Sequence, residues 1–208
     1  MKDYEKLIIE DLRAGYSAFN YSRFYDFVAR RKDLLTYVEV GCWKGFSTVY
    51  LAKRIKKKER AKLYAVDLWA ITNEMLFRWY PQYAKPEDRN NTIFAKFDKN
   101  VDPEKLIYDI YCTNINRNKV RDIVIDIRQD SSEAAKNFDE GGVDFVYIDA
   151  KHDYESVKKD ISAWKGKVRR GGIISGHDYS RDSVAQAVNE QFSMPMSFRG
   201  DVWYIEAR

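Results

Sequence analysis

Residues 37–47 have the sequence Tyr37-Val38-Glu39-Val40-Gly41-Cys42-Trp43-Lys44-Gly45-Phe46-Ser47, and this stretch decides the fold. The residues before Gly41 favour a β-strand, whereas apolar residues recur at helical spacing from Phe46 to Ile55. A glycine turn at such a junction lets a ligand approach backbone N–H groups at a helix N-terminus, near Ser47. The spacing lacks the third glycine of the dinucleotide fingerprint, so it favours a nucleoside over a pyrophosphate. The alternative is a strand-to-helix turn that needs glycine only for its shape.

Strands and helices alternate along the chain on both sides of this stretch. The predicted strands of the alternation are Thr36–Val40, Lys62–Val66, Asp122–Ile127, Val143–Ile148 and Gly171–Gly176. Residues 196–199 and 202–205 predict a closing antiparallel hairpin around Gly200 and Asp201. The pattern predicts one α/β domain over residues 1–208. Its sheet should be Rossmann-like, doubly wound and mostly parallel, in an α/β/α sandwich with the C-terminal hairpin at one side.

Two segments fall outside this alternation. Residues 1–33 predict two amphipathic helices that form an N-terminal helical cap. Residues 69–102 carry many aromatic rings among prolines, asparagines and charges. They are too aromatic for a disordered linker and too irregular for a crossover helix, so we predict an inserted lid or substrate-binding segment. The alternative for 69–102 is a surface insertion that packs only on itself.

Composition limits the partners. The 208 residues are 45% hydrophobic, which suffices for the core of one globular domain. Lys and Arg outnumber Asp and Glu by only 36 to 32, and the signs are interspersed, which argues against a nucleic-acid partner. Cys42 and Cys112 match no metal or redox spacing, and no apolar run predicts a membrane span or a signal peptide. We therefore expect a cytoplasmic protein without a membrane partner; a homo-oligomer stays open.

Carboxylates lie at or near the end of every predicted parallel strand. Ligands of open parallel sheets bind beyond the carboxyl ends of the strands. The strand-end residues are Glu39 with Gly41, Asp67, Asp130 with Ser131, Asp149 with His152, and His177 with Asp178. Asp67 is placed to accept both hydroxyls of a ribose, and Asp130 could accept from an exocyclic amine such as that of adenine. Asp130 could equally cap the helix that follows it, and the two roles are compatible.

Taken together, these motifs resemble class I S-adenosylmethionine-dependent methyltransferases. The matching stretches are 37–47, Val66-Asp67-Leu68, Gln129-Asp130-Ser131, 145–155 and 171–179. The likeness is to the small-molecule O-methyltransferase-like branch, whose fourth strand ends in Asp-Ala-x-His and whose fifth ends in Gly-His-Asp-Tyr. It implies S-adenosylmethionine as cofactor, with the cofactor-binding residues Glu39, Gly41, Gly45 and Ser47 near the methionine end, Asp67 at the ribose, Asp130 and Ser131 at the adenine, and Asp149 at the reacting centre.

The same resemblance raises the question of a divalent cation. In metal-dependent relatives the ligands match the positions of Asp149, His177 and Asp178. His177 stands where a second carboxylate or an amide is usual, which puts Mg²⁺ in doubt. Mg²⁺ prefers oxygen ligands, and an imidazole suits Mn²⁺ better. A metal site and a metal-free site both stay open at this point.

A base is needed if the methyl acceptor is a hydroxyl. The chain has two histidines, His152 and His177, and both follow predicted strand ends. Histidine can remove a proton near neutral pH, and His152 comes three residues after Asp149, so we predict His152 as the base and Asp149 as its catalytic partner. The alternative is that His152 caps or orients the helix over 153–167.

The predicted function is methyl transfer from S-adenosylmethionine to a small-molecule acceptor, at a hydroxyl oxygen. One alternative is a nicotinamide-dependent oxidoreductase, against which the missing third glycine and the closing hairpin count. The other is a catalytically silent cofactor-binding or interaction module. His152 and Asp178 at strand ends argue against that second alternative.

Overall fold

The structure is a computed structural model that describes residues 21–70, 103–193, 196–198 and 201–208. Most of the predicted cap 1–33 and nearly all of the predicted lid 69–102 lie outside the described residues. The elements, in chain order, are α1 (Tyr21–Arg30), β1 (Thr36–Val40), α2 (Phe46–Ile55), β2 (Lys62–Val66), α3 (Pro103–Arg117), β3 (Val124–Ile127), α4 (Ser131–Ala135), β4 (Val143–Ile148), α5 (Tyr154–Trp164), β5 (Val168–Gly176), α6 (Asp182–Gln191), β6 (Met196–Phe198) and β7 (Val202–Glu206).

The described strands form one seven-stranded sheet in the order β3-β2-β1-β4-β5-β7-β6. Strands β1 to β5 are parallel, and β7 runs antiparallel to both β5 and β6. This confirms the predicted mostly parallel, doubly wound sheet with a C-terminal antiparallel hairpin. The strand order reverses between β1 and β4, so the crevice for a ligand lies beyond the carboxyl ends of these two strands.

Apolar side chains cover both faces of the sheet, which gives the predicted three layers. One buried cluster lies under α1, α2 and α3 and includes Phe24, Leu51 and Tyr111. The other lies under α4, α5 and α6 and includes Trp164 and Val188. The strands between the two clusters are buried on both faces, which explains their nearly continuous apolar sequences.

Strand β5 begins at Val168, three residues before the predicted start at Gly171. Gly171 and Gly172 resemble a strand break in the sequence, but they lie inside β5. The pairing of β5 with β4 shifts register between Val143 and Phe145. A side chain at Gly172 would lie 2.7 Å from the Asp144 carbonyl oxygen, so glycine permits the close approach of the two strands here.

Asp144 fixes the start of β1 against β4. Its Oδ2 atom accepts hydrogen bonds from the backbone N–H groups of Leu35 at 2.8 Å and Thr36 at 2.7 Å. Its other oxygen pairs with the Arg169 guanidinium. We expect Asp144→Ala to lower the free energy of unfolding by about 2–4 kcal/mol, because three donors lose their acceptor. Urea denaturation measures this change.

The matched control for Asp144 is Asp33→Ala. Asp33 also pairs with Arg169, at 3.1 Å, but its side chain is 49% exposed. Exposed ion pairs contribute little, so this variant should lose less than about 1 kcal/mol. Equal losses in the two variants would contradict the special role of Asp144.

Candidate active site

The turn after β1 requires glycine at two positions. Gly41 has φ +87°, and a Cβ atom there would lie 2.2 Å from the Asp149 carbonyl oxygen. Gly45 has φ +79°, and a Cβ atom there would lie 2.8 Å from the Tyr111 ring. The turn therefore packs directly against Asp149, the residue that follows β4, at the point where the strand order reverses.

Asp67, which follows β2, holds this turn in place. Its Oδ2 atom accepts hydrogen bonds from the N–H groups of Cys42 and Trp43, both at 2.8 Å. Its Oδ1 atom accepts one from the N–H group of Trp69 at 2.7 Å. Sequence reasoning assigned Asp67 to a ribose and missed its contacts with the turn. Because Oδ1 receives one of these three bonds, it keeps a lone pair for a further donor.

Glu39 lies below the turn and is completely buried. Its Oε1 atom accepts from the Tyr25 hydroxyl at 2.9 Å, and its Oε2 atom accepts from the Thr48 hydroxyl. Burial raises the pKa of Glu39 to about 7, although hydrogen bonds from Thr48, Ser47 and Tyr25 oppose the rise. Glu39 therefore joins α1 and α2 to β1 beneath the turn. Its direct contact with a cofactor, and that of Ser47, stay predictions.

Asp130 caps α4, which is one of the two roles that the sequence predicts for it. Its Oδ1 atom accepts from the Ser132 N–H group at 3.0 Å, the Ser132 hydroxyl at 2.6 Å and the Lys159 ammonium at 3.1 Å. The Ser132 hydroxyl bond in particular lowers the pKa of Asp130 to about 2. All three bonds use Oδ1, which leaves Oδ2 for a donor such as the adenine amine. That second role stays a prediction.

Two residues of α5 contact the Ser131 hydroxyl. Its hydroxyl accepts a hydrogen bond from the Trp164 indole N–H at 3.0 Å. It also bonds to Asp160, whose pKa burial raises to about 6. A contact of Ser131 with the adenine would therefore use its backbone N–H group more readily than its hydroxyl.

His152, which follows β4, lies between two carboxylates. Its Nε2 atom is 2.7 Å from Asp178 Oδ2 and 3.4 Å from Asp149 Oδ1. Hydrogen bonds to Asp149 and Asp178 raise the pKa of His152 to about 9. His152 is therefore an imidazolium at neutral pH in this arrangement, and it becomes a base only after it has lost that proton.

His177 completes the group that the sequence placed at the ends of β4 and β5. Its Nδ1 atom lies 3.5 Å from Asp178 Oδ2 and 4.0 Å from Asp149 Oδ1. Burial alone would lower the pKa of His177, but the hydrogen bond to Asp178 and the charges of Asp149 and Asp201 outweigh it, so the pKa rises. The structure thus brings together all of the side chains predicted for the reacting centre.

Asp201 also reaches this centre, and sequence reasoning missed it. Its Oδ2 atom lies 3.2 Å from His177 Nε2, and within the described residues that nitrogen has no hydrogen-bond partner. Its backbone oxygen accepts from the Tyr179 N–H group at 3.0 Å. The predicted hairpin was the signal in the sequence that could have revealed Asp201. β7 pairs antiparallel with β5, so the start of β7, next to Asp201, lies at the carboxyl end of β5.

Asp149, His177 and Asp178 could hold a metal ion. Each offers one ligand atom, and these atoms all lie within 4.8 Å of one another. Two oxygens and one imidazole nitrogen fit a divalent cation and suit Mn²⁺ better than Mg²⁺. Asp178 has φ +56°, an uncommon conformation for a residue with a side chain, and Arg181 Nε holds its Oδ1 atom at 2.9 Å. The donor set therefore fits the predicted cation.

Residues 38–179 match the family model described as a methyltransferase domain. The chain belongs to this methyltransferase family. The match confirms the predicted class, a class I S-adenosylmethionine-dependent methyltransferase, and sets aside the nicotinamide-dependent oxidoreductase. A comparison with curated protein sequences gives no match. Among the described helices, none has both the length and the apolar character that crossing a membrane demands.

Several solved structures share the fold of this methyltransferase. TomG, an O-methyltransferase from Streptomyces achromogenes solved with SAM, has TM-score 0.59 and 11% identity over 100% of this chain and 91% of its own. An O-methyltransferase from Bacillus cereus solved with SAH has TM-score 0.58 and 14% identity over 99% and 91%. A protein from Clostridium thermocellum, described as a candidate rRNA methylase, has TM-score 0.55 and 14% identity over 91% and 97%. At such identities the likeness shows the fold alone.

Proposed function

We propose that this methyltransferase transfers a methyl group from S-adenosylmethionine to a hydroxyl oxygen of a small molecule, with His152 as base. The observation that carries the proposal is the position of His152, 2.7 Å from Asp178 and beside Asp149 at the carboxyl ends of β4 and β5. A histidine oriented by a carboxylate beside a ligand crevice is the arrangement that proton removal requires. The fold relatives TomG and the Bacillus cereus enzyme support an oxygen acceptor by their names.

The residues around the turn fit the proposed cofactor. Gly41 leaves no room for a side chain, so backbone groups of the turn are open to a ligand. Asp67 would accept a ribose hydroxyl at the free lone pair of its Oδ1 atom, and Asp130 would accept the adenine amine through its second oxygen. S-adenosylmethionine supplies a methyl group on a positively charged sulfur, and these contacts would hold that methyl group over the end of β4.

His152 would act at the acceptor hydroxyl. The pKa of His152 would fall when a second positive charge binds beside Asp149, because like charges disfavour the imidazolium. That charge would be the sulfur of S-adenosylmethionine or a divalent cation. The neutral imidazole would then take the hydroxyl proton while Asp178 fixes the orientation of the ring. If a divalent cation is used, Asp149, His177 and Asp178 would hold it, and its chemistry would be to polarise the acceptor oxygen.

The remaining parts of the proposal concern partners. A weak and interspersed charge supports a small-molecule acceptor over nucleic acid. Residues 69–102 would form the lid over that acceptor, and residues 1–33 the helical cap. A cytoplasmic location is a further expectation from the sequence, which leaves a homo-oligomer open.

Calorimetric titration with S-adenosylhomocysteine tests the cofactor. We expect binding to the wild-type protein without added metal, because the proposed cofactor contacts at the turn, Asp67 and Asp130 do not use His177 or Asp178, two of the three predicted metal ligands. The same titration with Mn²⁺ and Mg²⁺ asks whether a cation changes the affinity. No binding under any of these conditions would overturn the proposal.

His152→Gln tests the base. We expect turnover to fall by about 10²–10⁴-fold, because glutamine can bond to Asp178 but cannot take a proton. Affinity for S-adenosylhomocysteine should stay within about threefold of wild type, since the change breaks no predicted cofactor contact. Turnover is measured as the formation of S-adenosylhomocysteine from S-adenosylmethionine in the presence of each member of a panel of small phenols and alcohols.

The matched control for His152 is Lys151→Gln, at the exposed neighbouring position. It should leave turnover unchanged. Wild-type turnover in His152→Gln would remove His152 as base.

A further inference from the structure

Asn114 lies in α3, and its side-chain amide reaches the glycine turn that precedes α2. The residue is only 1% exposed. Its Nδ2 atom donates a hydrogen bond to the Lys44 backbone oxygen at 2.7 Å. The opposite orientation of the amide would place Oδ1 against that carbonyl oxygen, so only this orientation makes the contact. Asn114 therefore holds the turn at the residue directly before Gly45.

Successive peptide groups of the turn are held in fixed directions. The Gly45 N–H group donates to the Cys42 carbonyl oxygen at 2.8 Å, which closes the turn. The Trp43 carbonyl oxygen accepts from the Trp69 indole N–H at 2.9 Å. The next carbonyl along the chain is the one that α3 holds. Because each peptide group is planar, a bond to its oxygen also sets the direction of its N–H group.

Packing against α3 restricts the same point of the turn. A Cβ atom at Gly45 would lie 2.8 Å from the Tyr111 ring and 3.7 Å from the Ile115 side chain. Both residues flank Asn114 on α3. Gly45 is also the N-cap of α2, so any displacement of the turn would move the first N–H groups of that helix.

The Asn114 amide contributes little to stability. Its Oδ1 atom is buried and has no hydrogen-bond partner among the described residues. An unpaired buried acceptor costs at least as much free energy as one hydrogen bond contributes on balance. The bond to the Lys44 carbonyl therefore matters more for the position of the turn than for the stability of the fold.

We infer that Asn114 is a positioning residue for the methionine part of S-adenosylmethionine. It would act through the backbone of Lys44 and Gly45, without touching the cofactor. The inference rests on the proposed function, in which the turn and the N-terminus of α2 meet the methionine end of the cofactor. Without the amide, the peptide group between these two residues would leave its fixed direction, whereas the nucleoside contacts at Asp67 and Asp130 would persist.

Two ligands locate the effect of Asn114→Leu, which removes the donor and nearly keeps the volume of the side chain. S-adenosylhomocysteine carries the amino-acid group, whereas 5′-methylthioadenosine keeps the adenine, ribose and thioether but lacks it. The variant should bind S-adenosylhomocysteine about tenfold more weakly than wild type, because the turn is no longer preorganised. Its affinity for 5′-methylthioadenosine should fall by less than about threefold. Isothermal titration calorimetry measures both affinities.

The melting temperature separates positioning from stability. Asn114→Leu leaves the Lys44 carbonyl without this donor, but it also removes the unpaired Oδ1 atom, so the two effects oppose each other. The melting temperature should therefore stay within about 4 °C of wild type. Asn114→Ala is a second variant that leaves a cavity and should melt lower. It should nevertheless show the same difference between the two ligands.

Asn118→Leu is the matched control, four residues later and just past the end of α3. Its Nδ2 atom donates to the Asn114 backbone oxygen at 2.8 Å, and its Oδ1 atom accepts from the Lys53 ammonium at 2.6 Å. Neither bond involves the turn. Both ligand affinities should therefore stay at the wild-type value in Asn118→Leu, even where the melting temperature falls.

Two failures can be told apart. Unchanged binding of S-adenosylhomocysteine to both Asn114 variants, or an equal loss for the two ligands, overturns the inference while the proposed function stands. Failure of wild type to bind either ligand overturns the proposed function, and the inference falls with it.

Discussion

Replacing Asp67 by alanine should lower the affinity for S-adenosylhomocysteine by more than about a hundredfold. The hydrogen bond from a ribose hydroxyl to the free lone pair of Oδ1 would be lost, which corresponds to about 1.5–3 kcal/mol for a bond to a charged group. The structure adds a second cause. The N–H groups of Cys42, Trp43 and Trp69 lose their acceptor, so the turn that meets the cofactor loses its shape as well. Isothermal titration calorimetry measures the change.

Asp144→Ala is a suitable control for this experiment. It should destabilise the fold from the opposite end of β4, where it contacts Leu35 and Thr36, without touching the cofactor. Unchanged affinity in Asp144→Ala beside lost affinity in Asp67→Ala would assign the effect to the site and not to general stability. Wild-type affinity in Asp67→Ala would refute both the ribose contact and the role of Asp67 in the turn.

The parts of the fold that follow from local pattern could be predicted from the sequence. The glycine turn at Gly41, the alternation of strands and helices, and the acidic residues at strand ends are all visible within short stretches. Parallel strands place their carboxyl ends at one edge, so Asp149, His152, His177 and Asp178 could be brought together by topology alone. The distances between them in the structure agree with that prediction.

Contacts that depend on how distant segments fold back could not be predicted. Asp201 reaches His177 because β7 returns along β5, and the sequence shows only a turn residue at that position. Asp67 is engaged by backbone N–H groups, and no side chain in the sequence reveals them.

Asp178→Asn should reduce turnover by about 10²–10⁴-fold, because it removes the carboxylate that orients the proposed base. Asp178 Oδ2 lies 2.7 Å from His152 Nε2, and its two hydrogen bonds from histidines hold the pKa of Asp178 far below its ordinary value. An amide keeps the shape of the side chain but loses this charge. Affinity for S-adenosylhomocysteine should stay nearly intact in Asp178→Asn, because the turn and Asp67 are untouched.

Asp182→Asn is the matched control. Asp182 is exposed in the first turn of α6, so this variant makes the same change from carboxylate to amide outside the crevice. It should keep wild-type turnover. Wild-type turnover in Asp178→Asn would mean that neither the orientation of His152 nor a cation at this position matters to the reaction.

Asp178→Asn also decides between the metal-dependent and metal-free routes when it is compared with Asp149→Asn. If a divalent cation is held by Asp149, His177 and Asp178, wild-type turnover should rise with added Mn²⁺ and disappear in excess chelator. Both variants should then lose the response to Mn²⁺ along with their activity, because each removes one of the charged ligands. Full wild-type activity in excess chelator would instead leave His152 as base without a cation. In that case Asp178→Asn should still impair turnover, because the imidazole would still lose the carboxylate that orients it.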